Sequence, residues 1–318
     1  MITPPTTTMK TPLHSRQTAL HGAKSSKKIR FLLALCSMGL LLASIRSGEA
    51  ATILSDDFDS YAQGTLLAGQ DWPHPIPDSP DNISWRAWHY GTQTIVDATS
   101  FGRTGNVYGS TVNPGTPNND SSAYSFTRLI DPYAGNDTWT VSFDFYIESL
   151  SANLPANITR LVSVFDTEGA NNYNNANLIG AVFAQESGGV YTLGANLGST
   201  AVGGANLVSF GGSVNAGQWY TVSIIGNNEA QTLKFVLNDG SNKLEIDGFY
   251  RKNTREVNGF AIGSMGSVIT GTYYLDNFEV SVIPEPSVSL LFGISAMTLL
   301  AMMRKKSAAA ASEISPLK

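Results

Sequence analysis

The 318-residue chain is poor in the residues that build most catalytic and metal centres, with one Cys and four His. Charged residues make up only 14%, too few for a coiled coil, and 10% aromatic residues argue against a disordered polymer. No two glycines stand at positions i and i+2, which excludes a dinucleotide fingerprint, and the P-loop and the Gly-x-Ser-x-Gly elbow are also missing. The sequence therefore gives no basis for nucleotide-dependent or serine-hydrolase chemistry.

Charge is distributed unevenly along the chain. Residues 51–283 hold 22 acidic and 9 basic residues, a net charge of −13, whereas the whole chain carries −5. A surface this acidic repels phosphate backbones, so we expect no nucleic acid partner. The surplus of basic residues at the two ends points instead to targeting segments.

Residues 1–50 predict a secretory signal peptide with an extended n-region. Four basic residues lie within 24–30, and the uncharged run Phe31–Ala43 follows them. Small residues then lead to the bond between Ala50 and Ala51, where we place cleavage by signal peptidase. The 13-residue run is shorter than the roughly 20 residues that span a bilayer, which argues against an uncleaved anchor. The single Cys lies inside this run, so the mature chain would have neither disulfides nor thiolate metal sites.

A second targeting segment lies at the C-terminal end. Pro284-Glu285-Pro286 precedes the apolar stretch 288–303, which ends at the basic cluster Arg304-Lys305-Lys306. The stretch is just long enough for a short transmembrane helix, and the basic cluster would hold the tail 307–318 in the cytoplasm. The segment 284–306 resembles the PEP-CTERM sorting signal of Gram-negative surface proteins, which an exosortase processes. The resemblance implies passage through the inner membrane to the cell surface or the extracellular matrix; a plain stop-transfer anchor is the alternative.

The region 51–283 has the pattern of an all-β domain. In Trp139–Glu148 every second residue is apolar, which is typical of a half-buried strand. Similar runs occupy 159–165, 178–184, 219–225, 232–237 and 271–282, with Asn/Asp/Gly turns at 227–228 and 238–240. Because no amphipathic helical window lies between these runs, we predict one antiparallel β-sandwich.

Four segments carry a finer resemblance. They are Ile53–Tyr61, Gly217–Val222, Leu233–Gly240 and Tyr273–Val280. They resemble the first strand, the central hairpin and the last strand of a concanavalin A-like (laminin G-like) jelly roll. The resemblance implies that the first and last strands pair.

The region gives little support to catalysis. Most enzymes of such folds are glycosidases, which need two carboxylates flanking the scissile bond. The run from Glu245 to Tyr250 begins the laminarinase-like pattern Glu-x-Asp-x-(x)-Glu, but neither position 249 nor position 250 is Glu. We therefore predict that the protein is not an enzyme, and a glycoside hydrolase would need a carboxylate pair that the sequence does not supply.

Two sets of residues are candidates for binding carbohydrate. The first set is Asp144, Tyr146 and Glu148, and the second set is Arg86, Trp88 and Tyr90. Each set would share one face of a strand, and an aromatic ring beside polar groups suits the apolar face and hydroxylated edge of a sugar. Plain solvent exposure of the first set and core packing around the second are the alternatives.

Structural calcium is a further expectation, because Ca²⁺ takes carboxylate and carbonyl oxygens. If the terminal strands pair, Asp57 and Asp59 come near Asp276, and these three are the candidate ligands. Surface acidity alone is the alternative interpretation.

Two hypotheses of different kind follow for the exported domain. In the first, it binds an extracellular polysaccharide through exposed aromatic residues and carboxylates. In the second, it is a structural surface or biofilm-matrix protein without a specific ligand. Exposure of the aromatic side chains would favour the first hypothesis, and burial of the tryptophans would favour the second.

Overall fold

Two antiparallel β-sheets make up the part of the chain that the computed structural model describes. The described residues are 50–66, 71–72, 76, 84–88, 92–112, 123–133, 138–152, 158–167, 173–174, 176–198, 206–265 and 269–283. Within these ranges no helix has the length and apolar character needed to cross a membrane. The predicted signal peptide up to Glu49 and the predicted segments from Pro284 onward, which include the sorting signal, lie outside them.

Sheet A has nine strands, ordered β14-β13-β12-β7-β16-β5-β4-β2, with β1 paired to part of β16. Its strands are β1 (Ala51–Asp56), β2 (Gly64–Leu66), β4 (Thr92–Asp97), β5 (Asn106–Val112), β7 (Thr138–Ala152), β12 (Trp219–Asn227), β13 (Thr232–Asn238), β14 (Lys243–Phe249) and β16 (Ile269–Ile283). A 3₁₀ helix, η1 (Ala98–Phe101), follows β4.

Sheet B has seven strands, ordered β11-β10-β9-β8-β15-β6-β3. Its strands are β3 (Arg86–Trp88), β6 (Ala123–Tyr133), β8 (Ile158–Phe165), β9 (Leu178–Ser187), β10 (Val190–Leu197), β11 (Asn206–Val214) and β15 (Val257–Met265). Every pairing in both sheets is antiparallel, so the predicted antiparallel β-sandwich of the jelly-roll class is confirmed.

Alternation along β7 shows why the sheets stack. Trp139, Phe143 and Ile147 point into the core and are buried, while Tyr146 on the opposite face is half-buried. The core side chains of sheet A meet those of sheet B, such as Phe260, and burial of each large apolar side chain contributes roughly 1.5–3 kcal/mol. The face of each sheet that points away from this core is called its outer face below.

The first and last strands pair, as the jelly-roll resemblance implied. β1 runs antiparallel to the end of β16, with Ala51 opposite Val282 and Asp56 opposite Phe278. β16 also pairs with β7 along its whole length and with β5 near its start. The final strand is therefore the centre of sheet A and holds three other strands in place.

A carboxylate lies between the sheets next to this pairing. Asp56 is 1% exposed and accepts hydrogen bonds from the Phe58 amide (2.8 Å), the Tyr61 hydroxyl (2.9 Å) and the Trp85 indole (2.8 Å). Burial raises the pKa of Asp56 to about 6, and the three hydrogen bonds act against that rise. The three donors fix the turn after β1 onto the core.

Candidate functional site

A short loop lies across the outer face of sheet A. It begins at η1, where the Asp97 side chain caps the helix by accepting a hydrogen bond from the Thr99 amide at 2.8 Å. Gly102 ends the helix in a left-handed conformation, with φ of 77°, that suits glycine. The loop thereby presents Phe101 and Arg103 to the sheet beneath it.

Four aromatic side chains form a cluster under this loop, and we call it the aromatic patch. It consists of Phe101, Tyr146, Trp219 and Tyr274. The ring centroid of Phe101 lies 4.1 Å from that of Tyr274 and 5.2 Å from that of Tyr146, and Tyr146 lies 5.3 Å from Trp219. The Trp219 indole donates to the Phe101 carbonyl at 2.9 Å. Tyr274 is buried, but the other three remain partly exposed to solvent.

Arg103 anchors the loop to the sheet through two carboxylates and a ring. Its guanidinium lies 2.8 Å from the Asp144 carboxylate and 2.7 Å from the Asp276 carboxylate. It also stacks over Trp219, with the guanidinium carbon 3.9 Å from the ring centroid. The charge of Arg103 therefore offsets two carboxylates and fixes the position of the tryptophan.

Asp144 is a structural residue here and not the sugar-facing group that the sequence suggested. It is only 9% exposed, and besides Arg103 it accepts hydrogen bonds from the Thr221 hydroxyl (2.5 Å) and the Asn277 side-chain amide (2.9 Å). Its oxygens are thus already bound inside the protein. Burial also raises the pKa of the neighbouring Asp276, and the hydrogen bond from Arg103 opposes this rise.

The other two residues of the first predicted set, Tyr146 and Glu148, are accessible to solvent. Glu148 is exposed and accepts a hydrogen bond from the Tyr274 hydroxyl at 3.0 Å. Burial raises the pKa of Tyr274, and its hydrogen bond to Glu148 adds to that rise, so the phenol stays protonated and donates. Tyr146 stands beside both residues in the middle of the patch.

The second predicted set lies elsewhere in the fold. Arg86 and Trp88 belong to β3, an edge strand of sheet B, so the structure does not bring them together with Tyr146. The Arg86 guanidinium lies 4.0 Å from the Asp71 carboxylate. Tyr90 and the side chain of Trp88 lie outside the described residues.

The three predicted calcium ligands do not form one cluster. Asp57 and Asp59 are exposed, and Asp59 accepts a hydrogen bond from the Asn106 amide at 2.6 Å. Gly105, with φ of 87°, allows this approach because a Cβ there would overlap the Asp59 carboxylate. Asp276 binds Arg103 instead. The described ranges contain no group of three or more His, Cys, Asp or Glu placed to hold a metal, and calcium stays a prediction.

The carboxylates of the laminarinase-like segment are engaged in surface ion pairs. Glu245 lies 2.7 Å from the ammonium groups of both Lys234 and Lys243, and these contacts lower its pKa to about 2. Asp247 lies 3.9 Å from Lys234 on the same face. A carboxylate that is held ionised by two lysines is poorly suited to act as a general acid.

Sequence reasoning missed four members of the site: Phe101, Arg103, Trp219 and Tyr274. Phe101 and Arg103 lie in a loop without periodicity, and only the packing of η1 on the sheet places them. Trp219 begins a predicted strand, but the register that sets it opposite Tyr146 could not be read from one sequence. The alternation of β12, which puts Trp219 on the face opposite Val222, was the one available signal.

Comparisons with known proteins add little to this geometry. No protein-family model and no curated protein sequence matches the chain. Among solved structures, a carbohydrate esterase of Shiga toxin-encoding bacteriophage phi24B is similar at a TM-score of 0.45 and 15% identity, covering 74% of this chain and 100% of its own.

Two further structures are similar at the same level. Lectin I of Ulex europaeus has a TM-score of 0.41 and 15% identity, covering 74% of this chain and 98% of its own. An alginate lyase of Klebsiella pneumoniae has a TM-score of 0.41 and 11% identity, covering 61% and 84%. Likenesses this distant carry no argument about function, which has to be argued from the side chains themselves.

Proposed function

We propose that the domain binds polysaccharide on the outer face of sheet A and that the aromatic patch is its main contact. The observation that carries the proposal is the partial exposure of Tyr146, Trp219 and Phe101 beside the exposed Glu148. Aromatic rings offer an apolar face to the C–H groups of a sugar, and carboxylates and hydroxyls bind its edge. The patch combines both kinds of group on a rigid sheet.

The rigidity of the patch supports the proposal. Arg103 and the hydrogen bond between Trp219 and the Phe101 carbonyl hold the rings in place before any ligand arrives. A preorganised site loses little side-chain entropy on binding. Three of the four rings also lie on sheet strands rather than on a long loop, which further limits their movement.

A glycan array with matched variants tests this function. We expect the wild-type domain 51–283 to give specific signals, and Tyr146→Ala to weaken them by about tenfold through the loss of one ring contact. Tyr146→Phe keeps the ring and should retain most of the binding. Val190→Ala, at an exposed position of sheet B, is the unaffected control. A silent array with correctly folded wild-type protein would refute the proposal.

The alternative of a purely structural surface protein is favoured by one observation. Trp72, Trp85 and Trp139 are each at most 4% exposed and serve the core. Trp72 packs edge-on against Tyr61, and the Trp139 indole donates to the Tyr250 hydroxyl at 2.8 Å. If the array is silent, the burial of these tryptophans is consistent with a structural domain that has no specific ligand.

The proposal includes export to the cell surface and release by an exosortase, with no catalytic activity in the domain. What supports it, beyond the patterns at the two ends, is that β1 begins at Ala51, directly after the predicted signal-peptidase site. The test is the intact mass of the protein recovered from the cell surface: a C-terminus near Pro284–Pro286 supports sorting, and a C-terminus at Lys318 refutes it.

A further inference from the structure

The outer face of sheet A also has a concave feature, at the opposite end of β12 from the aromatic patch. It is a groove of about 540 Å³. Ile225 and Phe249 give it apolar walls, and Lys234 and Asp247 give it a charged edge. Phe249 is partly exposed, so its ring is available to a ligand. We call this feature the β14 groove.

The groove and the patch lie in line along one strand. Trp219 and Ile225 are six positions apart on β12, which corresponds to about 20 Å at roughly 3.3 Å per residue. Both side chains belong to the outer face, since the buried residues between them, such as Val222, point to the core. An extended chain of several sugar rings would reach from one to the other.

The path between the two features is lined by small hydroxyl side chains. They are Thr221 and Ser223 on β12, Thr140 and Ser142 on β7, and Ser281 on β16. All five are partly or fully exposed, and the hydroxyls of Ser142 and Ser223 lie 3.3 Å apart. Hydroxyls both donate and accept hydrogen bonds, which matches the hydroxyl groups of a sugar.

The charges beside this path determine which polysaccharide fits. The carboxylates are Asp144, Glu148, Glu245, Asp247, Asp276 and Glu279, and the cations are Arg103, Lys234 and Lys243. Each of the three cations already contacts a carboxylate of the protein within 2.8 Å. A ligand carboxylate or sulfate would therefore meet a net negative face whose cations are already paired, and the net charge of −13 on residues 51–283 adds to the repulsion.

We infer that the ligand is a neutral polysaccharide that lies extended along β12, from the aromatic patch to the β14 groove. This inference rests on the proposed function and adds the ligand class and a second contact site. Polysaccharides of uronic acids or sulfated sugars are excluded by charge. The hydroxyl path and the two apolar ends supply the contacts that a neutral chain needs.

Affinity gel electrophoresis with soluble polymers tests the inference. The neutral probes are hydroxyethyl cellulose, laminarin, galactomannan and dextran, and the anionic probes are alginate, pectate and hyaluronate. We expect at least one neutral polymer and none of the anionic ones to retard the wild-type domain. Phe249→Ala should weaken binding to whichever neutral polymer retards the wild-type domain by about tenfold. Leu207→Ala, at an exposed apolar position on sheet B, should change nothing.

The possible outcomes separate the inference from the function on which it rests. Retardation by alginate that Tyr146→Ala abolishes would overturn the inference and leave polysaccharide binding standing. A lack of any retardation, together with a silent glycan array, would overturn both. Neutral binding that Phe249→Ala leaves unchanged, in a variant that unfolds like the wild type, would refute the β14 groove as a contact site.

A gain-of-function variant tests the charge argument directly. Glu245→Gln removes the carboxylate that lies 2.7 Å from both Lys234 and Lys243, and it keeps the size of the side chain. We expect this variant to be retarded by alginate where the wild-type domain is not. Continued indifference to alginate would contradict the explanation by paired lysines.

Discussion

Aromatic side chains on the outer faces of the two sheets differ in their exposure to solvent. On sheet A, the rings of Tyr146 and Trp219 lie beside a loop that leaves them partly exposed. On sheet B, Phe126 and Phe165 are buried, and Tyr173 packs on them with ring centroids 4.3 and 5.3 Å away. The rings of this sheet B cluster are therefore covered, whereas those of the aromatic patch stay partly open to solvent, so of the two aromatic clusters the patch is where a ligand site is to be expected.

Two ion pairs, one on each sheet, differ in exposure. On sheet B, Lys252 lies 3.1 Å from Asp166 at the end of β8, and both side chains are at most 15% exposed. On sheet A, Lys234 pairs with Glu245 at 2.7 Å, but its side chain is 41% exposed. Burial makes the first pair structural, while solvent screens the second.

The largest expected effect comes from removing the buried ion pair on sheet B. Lys252→Met removes the ammonium group that lies 3.1 Å from the buried Asp166 carboxylate, and we expect a loss of about 4 kcal/mol in the free energy of unfolding. Urea unfolding measures it. Lys234→Met on sheet A is the matched control and should cost much less. Equal losses in the two variants would show that the faces are not different in this respect.

The next largest effect concerns Asp56, the carboxylate buried between the two sheets. The pKa of Asp56 is about 6 in the folded state and about 3.8 when unfolded, so the folded state binds its proton more tightly. Stability from this group is therefore present below pH 4 and is lost as the pH rises through 6, by about 3 kcal/mol in total.

Asp56→Asn should remove this part of the pH dependence. The free energy of unfolding, measured in urea at pH 4 and pH 7, gives the difference for each protein. The exposed Asp57→Asn is the control and should keep the wild-type difference. An Asp56→Asn variant with an unchanged difference would show that Asp56 titrates in the folded state as it does in the unfolded chain.

On sheet A, Arg103→Met tests how much the ion pairs of Arg103 with Asp144 and Asp276 contribute to stability. Asp144 and Asp276 would face each other without a cation, and we expect a loss of about 2 kcal/mol at pH 7. Burial already raises the pKa of Asp276, and loss of Arg103 raises it further, so the penalty should shrink at pH 4. A loss that is independent of pH would mean that packing on Trp219, and not charge, sets the effect.

The smallest expected effect concerns the hydroxyl path. Ser142→Ala removes one partly exposed hydroxyl and should change stability by less than about 0.5 kcal/mol. It should still weaken binding of a neutral polymer by about threefold, because one sugar hydrogen bond is lost. Ser209→Ala, on β11 of sheet B, is the control for binding. Unchanged affinity of Ser142→Ala in affinity electrophoresis would place the ligand off this path.

Alternation predicted the strands of sheet A better than those of sheet B. β7, β12 and β13 expose one face, so their apolar residues recur with a period of two. The sequence did not predict β15, whose residues from Val257 to Gly263 are all buried, or β11, an edge strand in which Gly211 has a φ of 81°.

The site was predicted in part, for the same physical reason. Tyr146 and Glu148 were found because they alternate with the buried face of their own strand. Arg103 was not, because nothing local fixes its partners: Asp276 lies 173 positions away along the chain. Long-range contacts also explain why the sequence analysis predicted that Asp144 binds sugar and Asp276 binds calcium. Both carboxylates contact Arg103, and this contact could not be read from the sequence.

The central position of β16 has a consequence for how the chain folds. The strand that β1, β5 and β7 all require is the last described one, and its partner Ala51 lies at the other end of the domain. Such distant pairing makes folding slow, because a large loop must close before the contacts form. During synthesis, the edges of β1, β5 and β7 that pair with β16 stay open until β16 arrives. Any truncation before Ile269 would leave those edges permanently free to pair between molecules and aggregate.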